Sequence, residues 1–184
     1  MKTLSQHMIS YARYHRDPRN IATHFVGIPM IVLAVTILLS RPQFAVGGLL
    51  LSPAWGVVAL VSVFYMRLHL GLGAVLTGVL LACALFAQGV AAGPTSSWLA
   101  WGLGLFAVGW VFQFVGHFYE GRKPAFVDDV MGLLQGPLFV LVEALFAAGL
   151  LGELRQAIEA DAGPVRRDPH RASVGEGQAQ PSRS

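Results

Sequence analysis

The sequence predicts an all-α integral membrane protein: an amphipathic N-terminal helix followed by four to five transmembrane or re-entrant helices. Three observations predict it. Hydrophobic residues make up 54% of the 184-residue chain and charged residues only 12%, about half of the roughly 25% usual in soluble domains. The apolar residues gather into runs long enough to span a bilayer, which takes about 20 residues per helix. The charges avoid those runs: most Lys and Arg lie before Asn20, near Arg122, or after Glu153. Such a chain has too little polar surface to cover itself in water.

Leu4, Met8, Tyr11 and His15 fall at i, i+4, i+7 and i+11, one face of a helix that suits the membrane surface. Pro18 ends it. Asp17 can cap the next helix, with Pro18 at its first position, where a missing N–H costs nothing. His24 then lies about two turns inside. Apolar segments cover residues 21–40, 44–66, 70–92, 98–118 and 130–152. Pro53 interrupts the second and Gly136-Pro137 the fifth, each a place where a helix can break or re-enter. Four segments read as spans; the fifth either crosses or turns back at Gly136-Pro137. The turns are short: Arg41-Pro42-Gln43, Arg67-Leu68-His69 and Gly93–Ser97. Gly71, Gly73, Gly102, Gly104, Gly109 and Gly116 read as close helix contacts. One membrane catalytic domain is expected over 1–155, and a disordered basic and polar tail over 156–184.

Lys and Arg in short loops mark the cytoplasmic side. Lys2, Arg13, Arg16, Arg19, Arg67, Arg122 and Lys123 share one side, and Arg41 stands on the other. The N-terminus is therefore expected in the cytoplasm, and a re-entrant fifth segment keeps Arg155, Arg166, Arg167 and Arg171 with it. The first twenty residues have no signal-peptide pattern. The net charge of +3 implies contact with anionic lipid headgroups and not with nucleic acid. Cys83 is the single cysteine, so no internal disulfide forms. The expected setting is a bacterial inner membrane, or the endoplasmic reticulum in a eukaryotic cell. Oligomeric state is not legible.

This topology gathers His15, His24, His69 and His117 on the cytoplasmic face. Imidazole is the commonest ligand for Zn, Fe, Cu and Ni. His117 and Glu120, at i and i+3, can point at one centre, with His24 entering from another helix and His15 from the turn before it. Three histidines, with or without a carboxylate, suit non-haem Fe(II) and O2 chemistry. His24 is the most telling, because an ionisable group inside a span is costly without a partner. Tyr14, Asp17, Asn20, Gln113 and Glu143 are candidates to orient the imidazoles.

Other chemistries are absent. The chain has no HxxxH or HxxHH boxes of membrane di-iron hydroxylases, no GxSxG elbow, no HExxH and no phosphate loop. The alternative is a non-enzymatic small transporter or lipid-binding scaffold, using the histidines to sense metal or protons. Transporters commonly show internal repeats and midplane sites; here there is no repeat, and the polar cluster sits at one face.

YHRDPRNIATHFVGIP (Tyr14 to Pro29) and GWVFQFVGHFYEGRKPAFVDD (Gly109 to Asp129) resemble the motifs of the membrane 2-hydroxy fatty acid dioxygenases of the phytosphingosine degradation route. The patterns are Y-H-x-x-P-x-N-x-x-x-H, then Q-F-x-G-H followed by an acid, R-x-P-A and a late Glu in an apolar helix. The resemblance covers roughly residues 4–155 and falls on Tyr14, His15, Pro18, Asn20, His24, Gln113, Gly116, His117, Glu120, Pro124 and Glu143. It implies Fe(II)-dependent use of O2 to shorten a 2-hydroxy fatty acid by one carbon (α-oxidation). In that reading His15, His24 and His117, with Glu120, are metal ligands, and His69 is a fourth ligand or a proton relay. Arg19, Arg122 or Lys123 would pair with the substrate carboxylate.

Overall fold

A computed structural model describes residues 2–166. It contains α1 (Leu4–Ala12), α2 (Pro18–Leu39), a hairpin of β1 (Phe44–Val46) and β2 (Leu49–Leu51), α3 (Pro53–Leu68), α4 (Leu70–Ala92), α5 (Thr95–Glu120), a 3-10 turn (Ala125–Val127), α6 (Gly132–Ala147) and α7 (Gly152–Ala162). Among the described residues, α2, α4 and α5 are long and apolar enough to cross a membrane. Helix α1 opens with a capping box between Thr3 and Gln6. Asp17 caps α2, accepting the Arg19 N–H, with Pro18 in the first turn, as the sequence predicts.

The segment expected as the second span is different. Its first third is the antiparallel hairpin, with Phe44 opposite Leu51, turning at Gly47 and Gly48, whose φ values of 57° and 82° are both positive. A two-residue hairpin turn of this kind requires such angles, which glycine alone adopts without strain. A short apolar run carries the same signal as strand or helix, so hydropathy merged the two. Pro53 opens α3 in its first turn and interrupts nothing. With 16 residues, α3 is about 24 Å long, shorter than a full span.

Its direction is nevertheless fixed. At the end of α2, the Arg41 guanidinium donates to the carbonyls of Ala91 and Gly93 and to the Thr95 hydroxyl. The end of α2 therefore meets the α4–α5 turn, and α3 with α4 makes a round trip between them. Helices α2 and α5 run antiparallel, with the start of one beside the end of the other.

Glycines set the α2–α5 distance. Gly102, Gly109 and Gly116 recur every seven residues on the α5 face that is buried. A Cβ on Gly109 would lie 2.7 Å from Ile31 Cγ1 and 3.0 Å from the Gly27 carbonyl oxygen. Gly73 is as tight against the Tyr65–Met66 backbone, whereas Gly104 faces open space and Gly71 meets only the His69 ring. Gly109→Val is expected to push the two helices apart. It should cost about 1–3 kcal/mol, read as a lower midpoint of thermal unfolding in detergent, together with loss of metal affinity.

Helix α6 continues through Pro137, so the expected break at Gly136-Pro137 does not occur there. The chain bends by 114° between α6 and α7, around Gly149 (φ 78°) and Leu151 (φ 57°). The pair is a broken span or a re-entrant segment, with its corner a dozen residues later than expected. Residues 156–162, expected as the start of the tail, are helical: α7 runs to Ala162 and packs on α1. Its apolar residue Ile158 is fully buried, which the polar composition of 156–162 conceals. The remainder of the expected tail, 167–184 with Arg167 and Arg171, lies outside the described residues.

Candidate metal centre

Three elements deliver three histidines to one point. His15 sits in the turn between α1 and α2, His24 two turns into α2, and His117 near the end of α5; all three are buried. One ring nitrogen from each lies within 4.8 Å of the other two. The α2–α5 glycine contact makes this possible: Gly116 leaves room for Asn20 and Thr23 of α2 one residue before His117.

Hydrogen bonds fix two of the rings. His15 Nδ1 lies 2.7 Å from the Tyr11 carbonyl oxygen, and His24 Nδ1 lies 2.8 Å from that of Asn20. A carbonyl only accepts, so both Nδ1 atoms carry the proton. Their Nε2 atoms then hold bare lone pairs, and these face each other at 3.0 Å. Two lone pairs at that distance need a cation between them or a shared proton. A shared proton makes an imidazolium, which burial opposes: the His15 pKa is driven well below its ordinary 6.5, first by desolvation and then by His24. Tyr11 stacks on the His15 ring at 4.1 Å and 10°, and Phe139 packs on both rings, completing an apolar cover.

The donor set fits a transition metal. With metal–nitrogen bonds of about 2.1 Å, ligands at right angles lie about 3.0 Å apart and tetrahedral ones about 3.4 Å. Donation of the other ring N–H to a carbonyl is the usual support of a ligating histidine. His117 Nδ1 is buried without a hydrogen-bond partner.

Glu120 lies beside this cluster but is occupied otherwise. Its Oε2 accepts the backbone N–H groups of Arg16 (3.0 Å) and Asp17 (2.8 Å) and the Asn20 amide (3.1 Å). Its Oε1 is 3.2 Å from the Arg166 guanidinium. The i, i+3 spacing does place Glu120 on the His117 face, yet its carboxylate ties the end of α5 to the His15 turn and the start of α2.

The other expected residues divide. His69 is apart from the cluster: it caps α4, its Nδ1 accepting the Leu72 N–H. The Asn20 carbonyl lies 2.8 Å from His24 Nδ1. Asp17 caps α2 and pairs with Arg19 at 2.8 Å, and Tyr14 bonds Asp128 at 2.9 Å; neither side chain touches an imidazole. Gln113 Nε2 is buried without a partner. Glu143 lies 3.7 Å from the buried guanidinium of Arg16. Arg122 donates to the Arg13 carbonyl, Lys123 pairs with Asp128, and Arg19 stacks on Tyr119.

Two residues escaped the sequence reading. Arg16 braces the turn through the Ala12, His15 and Gly163 carbonyls, and Tyr11 carries the His15 ring. For Tyr11 the signal was present, since it shares with His15 the apolar face of α1; the stripe reads equally well as a membrane-facing one.

The fold and the cluster together define a polytopic helical membrane protein with a buried three-histidine centre at one end of its long helices. The family described as 2-hydroxy-palmitic acid dioxygenase Mpo1-like matches residues 1–148, and the chain belongs to it. It is 35% identical over 153 residues to the 2-hydroxy-palmitic acid dioxygenase MPO1 of Saccharomyces cerevisiae, covering 82% of this chain and 84% of the yeast protein. No solved structure matches it.

Proposed function

We propose that the protein is an Fe(II)-dependent dioxygenase that converts 2-hydroxy fatty acids to acids one carbon shorter. The observation that carries this reading is the pair of bare, facing Nε2 lone pairs of His15 and His24 beside His117, in a chain of this family. His15, His24 and His117 hold the metal. Iron held there would supply O2 binding and activation.

The reaction closes on one O2 without an outside reductant. R–CHOH–COOH and O2 give R–COOH, CO2 and H2O: the C1–C2 bond breaks, and the four electrons lost by the acid are those O2 takes up. The protein's part is positioning and exclusion of water. Tyr11, Phe139 and the packed α2–α5 seam keep the centre dry. Glu120 and Asn20 hold two of the ligand-bearing segments in register. Arg19, Arg122 and Lys123 stand at the same end with exposed side chains, and they guide the carboxylate in. Lys123 and Arg122 have exposed partners worth little individually, and Arg19 pairs with the buried Asp17. In this reading the basic residues at this end face the cytoplasm, in keeping with the positive-inside rule.

The test is metal content and turnover of protein purified in detergent without oxygen, then given Fe(II), O2 and a 2-hydroxy fatty acid. Near-stoichiometric iron and release of the one-carbon-shorter acid are expected. Absence of any bound transition metal after Fe(II) is added back rules the proposal out.

A further inference from the structure

Next to the histidine cluster the structure holds a cavity of about 60 Å3, room for roughly four waters. Its walls are Ile28 and Val32 of α2, Trp110 of α5, Phe126, and Leu133 and Pro137 of α6. His117, Gln113 and the Tyr11 ring line it as well. The lining therefore grades along one direction. Tyr11, Gln113 and His117 supply polar groups at the cluster. From there the cavity runs beside α2 from Ile28 to Val32, four residues, or about 6 Å of helix, between apolar walls. Trp110 and Phe126 meet edge to face at 4.9 Å and form one side. Leu133 lines the cavity and is also half exposed on α6, so it links the cavity to the outer surface of the helices.

Glycine keeps the passage clear beside the cluster. A Cβ on Gly136 would lie 3.0 Å from Ile28 Cδ1 and 3.2 Å from the Tyr11 hydroxyl. The Tyr11 hydroxyl lies at this narrow point of the cavity lining, where a phenol O–H can donate to an oxygenated group. Gln113 Nε2, buried and unpartnered, packs against Gly27 on the same side.

We propose that this slot takes the acyl chain next to the reacting head of the substrate, that Trp110, Phe126 and Gly136 set which chains fit, and that the Tyr11 hydroxyl binds the oxygenated head. The proposal rests on the dioxygenase reading for the identity of the head; the apolar walls and their continuity with His117 argue for the chain. A hydrocarbon occupant matches walls that offer it no polar partner and exclude water. The remainder of a long chain leaves past Leu133 into the bilayer, so the slot reads the carbons nearest the head.

The experiment uses full-length, metal-loaded protein in detergent, with a series of 2-hydroxy acids of increasing chain length. Anaerobic equilibrium binding and aerobic turnover are measured side by side. For the unaltered protein, affinity should rise with each added methylene until the slot is full and then level off. Gly136→Val and Leu133→Trp should flatten that rise while metal content stays unchanged. Leu133→Trp changes a half-exposed position and keeps the test valid if Gly136→Val does not fold. Trp110→Ala should move the plateau to a different chain length. Tyr11→Phe should lower affinity for the 2-hydroxy acid about fivefold to tenfold, and lower it less for the unsubstituted fatty acid of equal length. An unchanged chain-length response in both plugging variants, with metal retained, overturns the slot while leaving the reaction standing. Slot-dependent binding without turnover in the unaltered protein supports the slot and sinks the reaction.

Discussion

His24→Ala is expected to abolish both bound metal and turnover while leaving the metal-free protein folded. Loss of a partner that merely orients a metal-binding histidine costs about 10–100-fold in affinity, so loss of a direct donor should exceed about 100-fold. The metal-free form has little to lose. In it the His24 lone pair faces that of His15 at 3.0 Å, an unfavourable contact that alanine removes, offset by the small cavity the ring leaves. The discriminating measurement is thermal unfolding with and without Fe(II). A ligand at 100 times its dissociation constant stabilises by about 2.7 kcal/mol; the unaltered protein should show a metal-dependent rise of that order and the variant none. Retention of iron and of the metal-dependent rise in His24→Ala would remove His24 from the centre.

Glu120→Ala should produce the second-largest effect, and one of a different kind. One buried carboxylate accepts three N–H groups from the Arg16–Asn20 stretch and faces Arg166. Alanine leaves those donors buried without an acceptor. Breaking a buried, hydrogen-bonded charge costs about 3–5 kcal/mol, and here the metal-free protein bears it. Metal affinity should fall as well, by about 10–100-fold, because the loosened turn carries His15. Glu120→Gln keeps one accepting oxygen and should recover part of both. A ligand role makes the opposite prediction: full stability of the metal-free protein, with the loss confined to the metal. Unfolding of the metal-free variant beside a metal titration separates the two.

These two residues also show how far the sequence could be read. His24 was identifiable because a histidine inside an apolar run demands a partner, and the Asp17-Pro18 helix start fixed its depth. Glu120 was identifiable only as a position. Helical spacing puts it on the His117 face, but which way the carboxylate turns depends on Arg16, Asp17 and Asn20, a hundred residues earlier in the chain. The hairpin was hidden because Phe44–Leu51 is as apolar as the helix that follows, and hydropathy ignores the Gly47-Gly48 turn. At the fifth segment proline drew attention away from the true corner: α6 absorbs Pro137, and the bend falls where Gly149 and Leu151 take positive φ. His69 shares a membrane face with the cluster, as the topology required, but membership of a face does not bring two side chains within bonding distance.

The round trip made by α3 and α4 has a consequence for biosynthesis. His15 and His24 emerge from the ribosome early, whereas His117 follows about ninety residues later, after α3 and α4 have been made. A chain arrested anywhere before α5 exposes an unfinished pair of imidazoles and cannot close the triad. If the triad binds metal as proposed, uptake by all three histidines must follow the synthesis of α5, and a chain stalled before it lacks the third ligand. Loaded protein in a membrane preparation would count correctly inserted molecules.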